Sequence, residues 1–251
     1  MVYILKYIII FLNGGNIKMK IETKILAGFL KKTQMDKSQL VDECILDFQK
    51  EGLKINANAK AQLSRVMAWL KTSAFEEYEE IGKIGVNDLS NIIKVMERFG
   101  EKITLSKEGN LLTIKGKGKK VDVELVAENF LATDTGEPKL EFEETFTLTA
   151  TKLKSIFADV LLNKDAIITI ETEPKKIKFS NTGKYKFVNE LEAETCKGGT
   201  KVNLGEPFID ATNSLDGNLN ISIKTDYPVK IMETTETSII TVIVAPRVET
   251  E

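Results

Sequence analysis

The stretch Glu144–Leu162, ETFTLTATKLKSIFADVLL, holds two periodicities back to back. Its first six residues alternate polar and apolar, which puts Phe146 and Leu148 on one side of a strand. From Thr151 the period becomes helical. Leu153, Ile156, Phe157 and Val160 form one apolar stripe, with Lys152, Ser155 and Asp159 outward and Lys154 at the margin. Thr151 reads as the N-cap of a helix over Thr151–Leu162. The same order opens the preceding half of the chain. Lys20–Ile25 reads as a strand and Leu26–Met35 as a helical patch, where Leu26, Phe29 and Leu30 oppose Lys31 and Lys32, with Lys37 just beyond.

Outward from these two openings the elements continue in parallel. The first half reads as β-rich over Val41–Ile55, then as two strands in Leu63–Val86 split by Thr72–Tyr78. A helix over Asp88–Phe99 follows, then strands at Lys102–Leu105, Leu111–Lys115 and Val121–Val126. The second half gives strands at Ile167–Glu171, Lys176–Phe179 and Lys184–Leu191, and a short helix at Pro207–Leu215. Strands at Leu219–Thr225, Val229–Glu233 and Ser238–Val244 close it. Turn signals at Lys107–Asn110 and Asn181–Gly183 mark hairpins. Two passes of one strand–helix–hairpins unit imply an α+β fold of two similar domains, each of antiparallel sheets with two helices. The expected boundaries are 19–126 and 145–251, joined by an acidic connector at 127–144 that contains Thr-Asp-Thr-Gly-Glu-Pro. Trp69, in a strand whose Val66, Ala68 and Leu70 share one face, reads as a core residue.

Residues 1–18 are read as a leader outside the fold. The run VYILKYIIIFL is shorter than the roughly 20 apolar residues that span a bilayer, and no small-residue cleavage site follows it. Gly14 and Gly15 suit translated ribosome-binding DNA ahead of a start at Met19.

The 251 residues are 42% hydrophobic and 29% charged, enough for ordinary cores, and the formal charge of −2 argues against an indiscriminately basic surface. Charge is segregated by helix face instead. In Asp88–Phe99, the residues Leu89, Ile92, Ile93, Met96 and Phe99 make the apolar side, and Asn91, Lys94 and Arg98 the opposite one. Three of the four helices thus carry a basic outer stripe. The fourth, with Phe208 and Leu215 inward, offers Asp210 and Asn213 and no base.

Catalysis is poorly served. Histidine is absent, which removes the commonest general base and metal ligand. Cys44 and Cys196 lie in no CxxC, and two such thiols suit a reducing, cytoplasmic compartment. The acidic runs Glu76–Glu80 and Glu141–Glu144 lack metal-loop spacing. The KGKGKK of Lys115–Lys120 lacks the Gly-Lys-Ser/Thr and following helix of a phosphate loop, and reads as a solvated hairpin tip with DNA-backbone contact the lesser alternative. No catalytic residue, metal or cofactor is expected.

The C-terminal Val244-Ala245-Pro246-Arg247-Val248-Glu249 resembles the Ala-Pro-Lys/Arg-Ile-Glu ending of the eukaryotic and archaeal sliding clamps, the proliferating-cell-nuclear-antigen (PCNA) family. Asp226-Tyr227-Pro228-Val229-Lys230 is similar to that family's Pro-containing strand entry, and Ile84-Gly85-Val86-Asn87-Asp88-Leu89 to its Gly-Val-Asn lead into the second helix. The likeness runs in order from Met19 to Glu249. It implies a non-enzymatic processivity factor for DNA replication and repair: three chains head to tail, six domains in a ring around duplex DNA. Its partners would be DNA polymerase, a clamp loader and proteins carrying a clamp-binding peptide, with no membrane role. On this resemblance Lys31, Lys32, Lys37, Lys94, Arg98, Lys152 and Lys154 would face DNA. Edge strands at Val121–Val126 and Lys184–Leu191 would join subunits. Val126, Leu131, Pro228, Ala245, Pro246 and Val248 would hold the partner peptide. Asn58 stands where the family usually has an apolar pocket wall, and the base-free fourth helix is a second departure. The alternatives are a clamp-fold subunit that works only in a hetero-oligomer or inhibits a resident clamp, an acidic-residue metal enzyme on nucleic acid, and a plain α+β interaction module.

Overall fold

The computed structural model describes residues 19–35, 41–59, 61–131, 136, 138–164 and 167–247. The expected leader, Lys37 and Val248 lie outside the described residues. The first half runs β1 (Met19–Glu22), α1 (Thr23–Thr33), β2 (Cys44–Gln49), β3 (Gly52–Asn58), β4 (Ser64–Lys71), β5 (Phe75–Glu77), β6 (Gly82–Val86), α2 (Leu89–Met96), β7 (Lys102–Glu108), β8 (Leu111–Gly116) and β9 (Lys119–Glu124). The second runs β10 (Glu144–Thr149), α3 (Ala150–Val160), β11 (Ile168–Glu173), β12 (Lys176–Asn181), β13 (Val188–Glu192), β14 (Lys201–Leu204), α4 (Glu206–Thr212), β15 (Asn218–Ile223), β16 (Val229–Thr234) and β17 (Ser238–Val244).

The strands form three antiparallel sheets, ordered β5-β1-β7-β8-β9, β10-β15-β16-β17-β4-β3-β2-β6 and β13-β12-β11-β14. The duplication is visible in these orders. The run β6-β2-β3-β4 of the first half repeats as β14-β11-β12-β13 of the second, and β1-β7-β8-β9 repeats as β10-β15-β16-β17. The two halves meet where β4 pairs with β17, Ser64–Lys71 against Ser238–Val244, with Val66 opposite Val242 and Ala68 opposite Ile240. Those four side chains are buried. Helices α1 and α4 both pack on this seam, each touching β4 and β17. Phe157 of α3 meets Phe208 of α4 edge to face, ring centroids 5.4 Å apart.

Several expectations shift in detail. β1 stops at Glu22, not Ile25, because its pairing with β7 ends there, and Thr23 begins α1 by donating its N–H to the Glu101 carbonyl. The cap of α3 is Thr149, whose hydroxyl accepts from the Lys152 N–H at 3.2 Å, so Thr151 is already inside the helix. Asp88 caps α2 through the Asn91 N–H. β14 has only Val202 and Leu204 to alternate, too short a run to announce itself. Trp69 is not in the core. Val66, Ala68 and Leu70 take the buried face of β4, and strand alternation turns Trp69 to the other side, where its Nε1 donates to the Glu51 carbonyl and Lys54 lies over its ring.

The described parts of the connector lie over that outer face. The Val126 N–H donates to the Gly85 carbonyl at the β6 edge, and Leu131 is buried nearby. The Arg65 guanidinium of β4 donates to the Gly136 carbonyl at 2.6 Å and to Asn56 Oδ1 at 2.8 Å. Phe142 then meets Tyr227, with Lys230 over its ring, before β10 begins. Gly85 permits this approach. A Cβ there would collide with the Val126 carbonyl oxygen and come within 2.7 Å of Leu131 Cδ1.

On the helix side a buried ion pair ties the halves together. Glu233, at 2% exposure, accepts from Lys32 Nζ at 2.6 Å and from the Asp216 N–H at 2.7 Å. Lys32 also reaches Asp216 at 3.3 Å, and Lys154 reaches the same carboxylate at 3.4 Å. Burial raises the Asp216 pKa, but Lys32 and Lys154 outweigh it and hold the group below its ordinary value.

Two stability outcomes follow from these contacts. Gly85→Ala is expected to cost about 1–3 kcal/mol in urea unfolding through overpacking. Gly28→Ala, where a Cβ meets nothing within 4 Å, should be neutral or stabilising; equal midpoints for the two variants would refute the connector contact. Lys32→Ala leaves Glu233 buried without its cation and should cost about 3 kcal/mol, whereas Lys94→Ala should stay within about 0.5 kcal/mol.

Candidate nucleic-acid and partner interfaces

The sequence expects seven cations on one helical layer, and the structure divides the six described ones by what they touch. Lys32 is consumed by the Glu233–Asp216 network, which makes it a structural cation first. Lys31 reaches Glu97 at the end of α2 at 2.6 Å, and Lys154 reaches Asp216. Lys94, Arg98 and Lys152 form no ion pair among the described residues. Lys94 and Arg98 are exposed four residues apart on and just past α2, so they share a face. Lys152 stands in the first turn of α3 and is half-buried. Unpaired cations on exposed helix faces are the groups that neutralise phosphates without reading bases. α4 contributes the opposite sign. Asp210 lies partly buried with its pKa raised by burial and by the neighbouring Glu206.

The residues expected to hold a partner peptide separate into groups. Ala245 and Pro246 come together at a cleft of about 640 Å3, lined also by Leu63, Leu161, Pro207 and Arg247. Two backbone bonds fix this end of the chain, from the Ala245 N–H to the Leu63 carbonyl at 2.9 Å and from the Arg247 N–H to the Asn203 carbonyl at 2.8 Å. Val126 and Leu131 sit instead at Gly85 on the β6 edge. Pro228, partly exposed ahead of β16, lines neither place. Asn58 is exposed at the end of β3, opposite Arg65 in the β3–β4 register.

Sequence reasoning missed Leu63, Leu161 and Leu162, which are 47%, 56% and 63% exposed. A signal was available. Two leucines directly after Val160 cannot both continue the stripe of α3, so at least one had to face solvent. It also missed Arg65 as the strap on the connector.

Burial, with a smaller contribution from Asp42, pushes the Cys44 thiol up to about 12, far from a reactive thiolate. No three His, Cys, Asp or Glu side chains gather in a metal-binding arrangement, and no helix is long and apolar enough to cross a membrane, in both cases among the described residues.

Comparison with known proteins gives a consistent picture. No family model matches the chain. It is 29% identical over 152 residues to the DNA polymerase sliding clamp of Nitrosopumilus maritimus, covering 58% of this chain and 60% of that one. It is 28% identical over 167 residues to DNA polymerase sliding clamp 1 of Sulfurisphaera tokodaii, covering 62% and 66%. The chain thus spans about 60% of the length of the first curated relatives it matches. Among solved structures it superimposes on A. fulgidus PCNA bound to the C-terminal region of FEN-1, with a TM-score of 0.83 at 19% identity over 94% of this chain and 100% of the other. PCNA of Entamoeba histolytica gives 0.78 at 17%, over 93% and 99%. At such identities the structures establish the fold. The chain has the two-domain α+β fold of PCNA-type clamps and is a divergent relative of the archaeal DNA polymerase sliding clamps.

Proposed function

We propose that the chain is a DNA sliding clamp, a topological tether and not a catalyst, built of three copies closed head to tail. The observation that carries this is a pair of sheet edges equivalent to the strands of the internal seam. β9 and β13 each end a sheet, and they are the duplicates of β17 and β4, which pair with each other inside the chain. An antiparallel contact between β9 of one copy and β13 of the next repeats the internal seam. It also hides two edges that would otherwise invite promiscuous pairing. Val188 on β13 and Tyr185 just before it are more than half exposed, as apolar groups awaiting a neighbour would be. A heterologous contact of this kind closes into a ring when its rotation allows.

In such a ring the helix layer faces the hole. Lys94, Arg98 and Lys152 contact phosphates, with Lys31 and Lys154 available when their surface ion pairs yield, since such pairs are worth little. The acidic α4 makes the bore uneven, so DNA lies toward α1, α2 and α3. Polymerase, clamp loader and peptide-bearing partners engage the cleft beside Ala245 and Pro246. Leu63 and Leu161 give that cleft an apolar floor.

Topology supplies the test. The protein is allowed to thread onto a linear duplex, streptavidin then blocks both biotinylated ends, and unbound protein is washed away. Retention that survives high salt and is abolished by one internal restriction cut is expected. Protein that stays after the cut, or never resists the wash, contradicts the tether. The K94Q/R98Q/K152Q variant should thread less at low salt and show a shallower salt dependence of association than wild type.

A further inference from the structure

The motif KGKGKK of Lys115–Lys120 remains outside the surfaces described so far. Lys117 and Gly118 form the two-residue turn between β8 and β9, both at positive φ, +44° and +71°. That is the twist-matched hairpin turn. The tip is docked, not waving in solvent. Gly116 lies so close to the chain following α2 that a Cβ would sit 2.8 Å from the Lys102 carbonyl oxygen and 2.9 Å from that of Phe99. The Lys117 stem lies against Gly100, and Lys119 Nζ donates to the Arg98 carbonyl at 3.2 Å. There it also faces the negative end of the α2 dipole.

This docking sorts the four lysines into two groups. Lys120 pairs with Asp122 at 2.8 Å, and Lys115 contributes to the field on that same carboxylate. Lys117 and Lys119 lie instead beside Gly100 and Arg98, exposed, and form no ion pair among the described residues. The chain thereby carries one strip of cations, from Lys94 to Arg98 along α2 and then to Lys119 and Lys117 on the hairpin. Glu97, the acid within that strip, is held by Lys31, which leaves Glu101 as the remaining acid of the segment.

We propose that the β8–β9 hairpin tip is a second, sequence-independent phosphate-binding site, in which Lys117 and Lys119 extend the α2 face and hold the backbone of duplex DNA where it leaves the helix layer. The inference rests on the clamp reading for the position of the DNA, and it assigns to the hairpin a contact that the helices do not supply. Glycine at 116 and 118 is required by this arrangement, one for the close approach to Phe99 and Lys102, the other for the turn.

The test is the salt dependence of association with a short duplex, read by fluorescence anisotropy. Wild type is compared with K117N/K119Q, with K117N alone, and with K94Q/R98Q/K152Q. Asn tolerates the positive φ at 117, and K117N keeps the Lys119–Arg98 contact intact. A slope of log affinity against log salt that falls by roughly one per lost phosphate contact in both hairpin variants, at unchanged melting temperature, is expected. Hairpin variants with the wild-type slope, while the helix variant loses affinity, overturn this inference and leave the clamp reading standing. A wild-type protein with no salt-dependent affinity for duplex overturns both.

Discussion

The pairing of β4 with β17 is the contact on which the rest of the structure depends. It fuses four strands from each half into one eight-stranded sheet, and burial of Val66, Ala68, Ile240 and Val242 beneath it makes the two halves one body. Because the halves are duplicates, the seam also decides what is left over. Each half has two sheets and each sheet one outer strand of the kind that forms a seam. Pairing one from each half leaves β9 and β13 unfilled at opposite ends. On the proposed reading these two edges are the halves of a second seam, closed between copies of the chain.

The same seam organises both surfaces. Over its inner side lie α1 and α4, and the Lys32–Glu233–Asp216 network stitches helix to strand across the halves. That explains why one cation of an apparently uniform basic stripe is spent on structure. Over its outer side lie the described parts of the connector, admitted by Gly85 and strapped at Gly136 by Arg65. The outward face of the sheet between them is partly apolar, with Met67, Trp69, Ile45 and Ile239 around a cleft of about 400 Å3. Removing one partner of a buried pair costs far more than removing an exposed cation, so mutational data on this layer must separate Lys32 from Lys94.

Much of the fold was legible because it is written in period. The alternation of ETFTLT and the stripe Leu153–Ile156–Phe157–Val160 mark β10 and α3 directly, and β17 is read to the residue at Ser238–Val244. Boundaries failed where a tertiary contact overrides local pattern. β1 yields to α1 at Thr23 because β7 ends, and Thr149 displaces Thr151 as a cap because the backbone turns two residues sooner. Trp69 was misjudged because a sheet covered by helices on one side has a second face, and hydrophobicity alone does not say which face a strand residue takes. The site was legible only as residue types. A sequence shows that Lys31, Lys32, Lys94 and Lys154 are basic; it does not show that Glu97, Glu233 and Asp216 wait across the fold for three of them. Likewise the expected peptide residues share a resemblance, yet only Ala245 and Pro246 reach a common cleft among those described.

The absolute mass of the purified protein in solution, measured by light scattering behind a sizing column at micromolar concentration, tests the account most directly. Edges that repeat the internal seam should give a particle of three chains. A monomer at that concentration would contradict closure by β9 and β13 of identical copies.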